Sequence, residues 1–471
     1  MTDTVLAHAL ANRDRLLADL ADLVAADSVG ADPARASGME AARSLLETRL
    51  RDAGWNNLQR LLPDDGTGQP ALYADRLDRP GAPTLLVYAH YDVQPPEPHD
   101  SWHSPPFELT AREGRLYGRG ASDDKGPMLI ALAALDAFLA VDGQLPVNVK
   151  LLLEGEEETG SPSLPGILEA HRDLLSADAA LSADGARWRA DLVSVNTGSR
   201  GSAGFEITVR TAGKDLHSGR YGGVVPNALH VMAQLVASLH NPDGGIAVPA
   251  VLAPVTEMTE AERAEMAEIP FNEAAFLAPT GAMGFGEPGM GLLERLWYRP
   301  TIELNGMWGG HTGAGSKTVI PHEAHAKLTL RLVPGQDPKA TMLAVQDHLR
   351  ARIPDGVALE FHGVRGLSAA SALPGDHPLL LASEAALEAT TGVRPVRVRI
   401  GATLPLTEII RRILGIDTVM FSFSTADEDY HAPNEFLRES AIDEGLAAWV
   451  DILARVGRQS AEDYRRTGGP E

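Results

Sequence analysis

The chain has 471 residues, no cysteine and a formal net charge of −23, from 64 acidic and 41 basic side chains. That balance argues against nucleic acid or an anionic membrane as the main partner, and the missing thiols exclude disulfides and thiolate metal sites. The length exceeds one ordinary core and implies two domains.

The start, M-T-D-T-V-L-A-H-A-L, lacks the basic and apolar regions of a signal peptide. No apolar run approaches the ~20 residues of a membrane span, so a soluble, cytoplasmic protein is expected. Residues 5–24 carry an apolar stripe that predicts one amphipathic helix. Residues 39–51 predict a second. Residues 84–89 (T-L-L-V-Y-A), 147–153, 179–181 and 418–423 are short apolar runs that predict buried strands. Residues 128–140, Ala- and Leu-rich after Gly-Pro, predict a helix between them. Such alternation implies an α/β fold, with a parallel or mixed sheet covered on both faces.

The middle differs in texture. Residues 202–210 and 324–332 alternate like strands, and 228–239 and 339–352 read as helices. This is an α+β module, and helix–strand alternation returns from about Pro378. The expected organisation is therefore a catalytic domain in two parts, 1–199 and 372–471, interrupted by an inserted domain at 200–371. Residues 257–288 form an acidic segment containing Met and Gly, read as a surface excursion or a lid loop.

Five segments concentrate metal-binding side chains: H-Y-D-V (90–93), G-R-G-A-S-D-D-K-G (118–126), E-G-E-E-E-T-G-S (154–161), S-A-D-G (182–185) and D-Y-H-A-P-N-E (429–435). Four of them follow a predicted strand, and sites in open α/β sheets gather at the carboxyl ends of strands. His90, Glu157, Asp184 and His431 should then emerge on one rim, within reach of Asp123 on its loop. Two metals about 3.5–4 Å apart can share a carboxylate and activate a water near neutral pH. A neighbouring Glu can take that water's proton. Singly, each segment has a blander reading; Glu154 and Glu156, for example, read as a solvated acidic face. Jointly, five in this order outweigh those readings. His and carboxylate ligands suit zinc, manganese or cobalt.

The set resembles the motifs of the co-catalytic zinc metallopeptidase family that includes carnosinase-type dipeptidases, aminoacylases, acetylornithine deacetylase and succinyl-diaminopimelate desuccinylase. The resemblance implies a largely parallel sheet sandwiched by helices, with an inserted α+β lid and dimerisation domain. It implies two divalent metal ions, zinc or manganese, with cobalt also suited. His90 and Asp184 would hold the first, Glu158 and His431 the second, and Asp123 would bridge them, with a cis bond to Asp124. Asp92 would orient His90, Glu435 would orient His431, and Glu157 would be the general base.

The segment D-L-H-S-G-R-Y-G-G (215–223) resembles one whose His, here His217, reaches the substrate carbonyl oxygen, in many members from the partner subunit of a homodimer. S-K-T-V-I-P (316–321) followed by L-R-L-V-P (330–334) resembles the carnosinase-like dipeptidase branch. There Arg331 would bind the substrate's terminal carboxylate, a pairing suited to the planar guanidinium. R-I-G-A-T-L-P (399–405) is similar to the dipeptidases' R-E-G-G-S-I-P and places Gly401 and Thr403 at the substrate, with Ile400 departing from Glu. The expected activity is hydrolysis of a dipeptide beside its free carboxylate. The alternative is an N-acyl- or N-carbamoyl-amino-acid amidohydrolase. A non-catalytic scaffold of this fold would lack a ligand or the base, and all are present.

Overall fold

The short apolar runs of the sequence lie side by side in one sheet. In a computed structural model, which describes residues 2–465, its strands stand in the order Asn56–Leu61, Ala71–Arg76, Asn148–Glu154, Thr84–His90, Ala179–Ser182, Thr418–Met420. The first two pairings are antiparallel and the remaining three parallel. Leu85, Val87 and Ala89 point to one face and Leu86 and Tyr88 to the other, and all are buried. A strand covered on both faces has no reason to alternate, which is why these runs are continuously apolar.

The helices Lys125–Asp142 and Glu439–Val456 pack on each other within the same core. Full burial of each of their Leu, Ile and Phe side chains contributes roughly 1.5–3 kcal/mol. The stripe at 5–24 is split into two helices, Thr2–Ala11 and Arg13–Ala25. Asn12 breaks the run: its backbone leaves the helical region (φ −102°, ψ 16°) and its side chain donates to the His8 carbonyl at 2.8 Å. Asn competes for backbone groups in this way, whereas the apolar spacing continues across the break.

By its internal contacts the chain divides into two units, one of residues 1–197, 373–398 and 409–471, the other of 198–372 and 399–408. The first carries the sheet just described. The second has a four-stranded antiparallel sheet in the order Thr301–Gly309, Glu323–Leu332, Gly201–Arg210, Ala358–Ser368. Phe205, Ile207 and Val209 face a core shared with the helices Ala228–Ala237 and Pro338–Arg350. Polar residues alternate with them on the other face.

One short stretch differs from the sequence reading. Residues 399–408, read there as part of the returning catalytic portion, belong to the second unit. The backbone N–H of Arg200 bonds the carbonyls of Ile400 (3.2 Å) and Ala402 (3.0 Å), and its Nε bonds that of Gly401 (2.8 Å). Nothing local in the sequence announces such contacts. Among the described residues, no helix is long and apolar enough to cross a membrane.

Candidate metal centre

The four neighbouring strands that deliver this centre are parallel, so the loops after them open at one rim of the sheet. His90 ends its strand and pairs in register with Glu154. Glu157 and Glu158 open the short turn Glu157–Thr159 beyond that neighbour. Asp184 lies just past Ala179–Ser182, and Asp123 just before the helix Lys125–Asp142.

These side chains form two groups, His90 with Asp123 and Asp184, and Asp123 with Glu158 and His431. In each group the donor atoms lie within 4.8 Å of one another. Asp123 belongs to both and offers each a different oxygen. Its Oδ1 is 3.0 Å from His90 Nε2, and its Oδ2 is 3.1 Å from His431 Nε2. His431 Nε2 is also 3.1 Å from Glu158 Oε2, and Asp184 Oδ1 is 4.0 Å from His90 Nε2. The bond from Asp123 to Asp124 is cis.

Electrostatics tests whether cations fit. Burial, reinforced by the charge of neighbouring carboxylates, pushes Asp184 up to about 6 and Glu157 well above its ordinary range. Hydrogen bonds to Asp123 and Glu158 push His431 up to about 10. Burial opposes ionisation of Asp123, yet the imidazoles of His431 and His90 hold it well below the usual carboxylate range. The cluster thus carries more buried negative charge than its two imidazoles offset. Divalent cations between these oxygens and nitrogens would supply the missing positive charge, so the donor set fits them.

The surrounding groups fix the donors. His90 Nδ1 lies 3.1 Å from the Asp92 carbonyl and 3.5 Å from its Oδ1. A proton held there leaves the Nε2 lone pair facing Asp123. The Asp92 carboxylate accepts the backbone N–H groups of Glu157 (3.2 Å) and Glu158 (3.1 Å). Asp92 therefore positions both, the His90 ring through its backbone carbonyl and the Glu157–Glu158 turn through its carboxylate. Just before this turn, Gly155 packs against Tyr91, where a Cβ would come within 2.3 Å of the hydroxyl.

Two expectations need correction. Glu435 does not orient His431. Its four hydrogen bonds come from Arg119 Nη1 (2.7 Å) and the backbone N–H groups of Gly120 (2.9 Å), Ser122 (2.9 Å) and Asp123 (3.1 Å). A carboxylate one residue from a loop's end can satisfy donors only where the fold brings them, and here they belong to the Asp123 loop. Nor are Glu154 and Glu156 a solvated face, for both are buried. Glu154 accepts from the Tyr88 hydroxyl at 2.7 Å, and Glu156 accepts from Gln69 N and Ser163 N at 2.9 and 3.1 Å.

Other supports escaped sequence reasoning altogether. Gln94 Nε2 donates to Glu158 Oε2 at 2.9 Å. Asp124 accepts the His90 backbone N–H at 3.2 Å, and Glu428 accepts from Ser122 Oγ at 2.6 Å. The only available signals were the place of Asp124 within D-D-K-G and those of Gln94 and Glu428 beside H-Y-D-V and D-Y-H-A-P-N-E. Around His431 the backbone itself is constrained: Asp429, His431 and Asn434 all have φ between 54° and 68°. For non-glycine residues that conformation is held only by surrounding structure. Asn434 supplies part of it through 2.8 Å bonds to His103 N and Ser101 O.

The remaining candidates lie in the second unit. Arg331 Nη1 donates to Thr403 Oγ1 at 3.0 Å, and Gly401 is held by Arg200. His217 is exposed, and its Nδ1 accepts the Gly219 N–H at 3.0 Å. That bond leaves the proton of a neutral ring on Nε2, free to donate.

With this geometry in place, comparison with known proteins is decisive. The model of peptidase family M20/M25/M40 matches residues 86–455. The chain belongs to that family. This M20/M25/M40 member is 30% identical over 401 residues to the β-Ala-His dipeptidase of Mus musculus, covering 83% of this chain and 80% of that protein. It is 31% identical over 396 residues to the Cys-Gly metallodipeptidase dug1 of Schizosaccharomyces pombe, covering 82% of each. The solved structure of an M20 family metallo-carboxypeptidase from Sulfolobus solfataricus is similar to it with a TM-score of 0.77 and 28% identity, covering 94% of this chain and 99% of that one.

Proposed function

We propose that this protein is a metal-dependent dipeptidase that cleaves the amide bond beside a free C-terminal carboxylate. The observation that carries the reading is the pair of donor groups sharing Asp123, with Glu157 beside them. His90, Asp123 and Asp184 would hold one divalent ion, and Asp123, Glu158 and His431 a second, as zinc, manganese or cobalt. Ions so held would acidify a water and polarise the scissile carbonyl.

Glu157 takes the proton from the attacking water and returns it to the leaving amine. Its place on the turn held by Asp92, next to the candidate ligand Glu158, suits that exchange. Asp92 keeps Glu157 and His90 in register. The Nε2–H of His217 stabilises the oxyanion, reaching it from the partner subunit of a homodimer joined through the second unit. Arg331, steadied by Thr403, binds the terminal carboxylate beside Gly401. The relatives named for β-Ala-His and Cys-Gly hydrolysis support a substrate with a free C-terminal residue, and the cytoplasm is the proposed location.

A substrate panel tests this directly. Cys-Gly, β-Ala-His and other dipeptides should be hydrolysed faster than N-acetyl or N-carbamoyl amino acids. Chelation should abolish the activity, and manganese, zinc or cobalt should restore it. Preferential release of acetate or carbamate would replace the dipeptidase reading with an amidohydrolase. Full activity in a verified metal-free sample would remove the metal assignment.

A further inference from the structure

The acidic excursion at 257–288 has a structural destination. Arg299 ties both of its ends, through Glu257 at 2.9 Å and Glu287 at 2.8 Å. Within it, the helix Glu260–Ala267 opens with a capping box in which Thr259 and Glu262 bond each other reciprocally. The same Glu262 reaches Arg399, with Oε1 3.5 Å from Nη2. The Arg399 guanidinium lies over the Tyr298 ring, 3.9 Å from its centroid. Its side chain is 15% exposed, and its buried Nε has no hydrogen-bond partner. The ring and Glu262 are thus what offset this largely buried charge.

Tyr298 ends the helix Leu292–Tyr298, whose Leu296 packs where a Cβ on Gly401 would come within 3.2 Å. Arg200 holds the carbonyls of Ile400, Gly401 and Ala402. Residues 399–402 are therefore gripped by Arg200 and by the helix that follows the excursion. Thr403 comes next and accepts the Arg331 hydrogen bond.

We propose that Arg399 is a positioning residue for the substrate's terminal carboxylate. Held by Tyr298 and Glu262, it fixes the 399–403 segment and so the Thr403–Arg331 pair. The excursion then serves as a strut for the carboxylate subsite. A segment ordered before binding spares the ordering cost on binding, so its loosening weakens substrate affinity rather than the chemical step. The inference rests on the reading of Arg331 as the carboxylate-binding residue.

The test uses the full-length, metal-loaded enzyme with Cys-Gly, β-Ala-His and their C-terminal amides. Tyr298→Leu should raise KM for the free acids roughly 3- to 30-fold, the range of one cation–ring contact, with kcat and amide hydrolysis unchanged. Tyr298→Phe, which keeps the ring, should restore wild-type KM. Backbone hydrogen exchange in 399–404 should speed up in Tyr298→Leu and not in Tyr298→Phe, a readout that needs no turnover. Wild-type KM and exchange in Tyr298→Leu would overturn the proposal. Arg331→Ala runs alongside. Equal losses on acids and amides there would overturn the Arg331 reading and this inference with it. An acid-selective Arg331→Ala beside an unselective Tyr298→Leu overturns the inference alone.

Discussion

Glu435 accepts the backbone N–H of Asp123 at 3.1 Å, across 312 positions of sequence. The same carboxylate faces the buried guanidinium of Arg119 at 2.7 Å. The shared candidate ligand is thus held by a residue from the far end of the chain, through backbone donors that show no side-chain signature. Glu435→Ala should leave Arg119 as an uncompensated buried charge. The expected loss is about 3–5 kcal/mol of unfolding free energy, measured by urea denaturation. Metal content should fall with it, because the Asp123 loop loses its anchor. Unchanged stability would mean that Arg119 finds another partner in the variant.

Glu157 and Glu158 are adjacent, and the proposed roles of base and ligand predict that their variants separate. Glu157→Ala should keep its metal and lose most of kcat, since a positioned base contributes ~10²–10⁴-fold. Glu158→Ala should lose metal from the group that contains His431. Metal analysis by mass spectrometry beside kcat decides the matter. A Glu157→Ala protein short of metal, with Glu158→Ala replete, would reverse the two roles.

Gly155 sits between the strand end and the Glu157 turn, against the Tyr91 ring. A methyl there meets the hydroxyl at 2.3 Å and the ring at 2.5 Å. Tyr91 has little room to retreat, because its hydroxyl donates to Pro70 O at 2.6 Å. Gly155→Ala should cost about 1–3 kcal/mol, the range of core overpacking, and should lower kcat by moving Glu157. A denaturation midpoint equal to wild type would show that the turn relaxes freely.

The proposed action of His217 across a dimer is testable by mixing chains. Homodimers of Glu157→Ala and of His217→Ala should each be nearly inactive. A mixed dimer regains one complete site only if His217 serves the other chain. Mixed dimers that stay inactive with metal content intact would exclude action in trans, as would a monomer at assay concentrations.

Local chemistry made much of this protein legible before folding. The four sheet-core runs announced themselves because strands buried on both faces must be apolar throughout. The candidate donors at their ends were legible as side chains because metal-binding groups come from a short menu of residue types. Segments 90–93, 118–126, 154–161, 182–185 and 429–435 therefore carried recognisable side chains wherever the chain placed them. Tertiary structure alone decided how those side chains are held. Glu435 serves the Asp123 loop, Glu154 and Glu156 are buried and bonded, and Asp92 carries the Glu157–Glu158 turn as well as His90. Likewise, residues 399–408 join the second unit through backbone carbonyls that bond Arg200. Those contacts use main-chain donors and acceptors, which every residue possesses and no sequence distinguishes. Which of them meet depends on distances the fold sets after distant strands have come together.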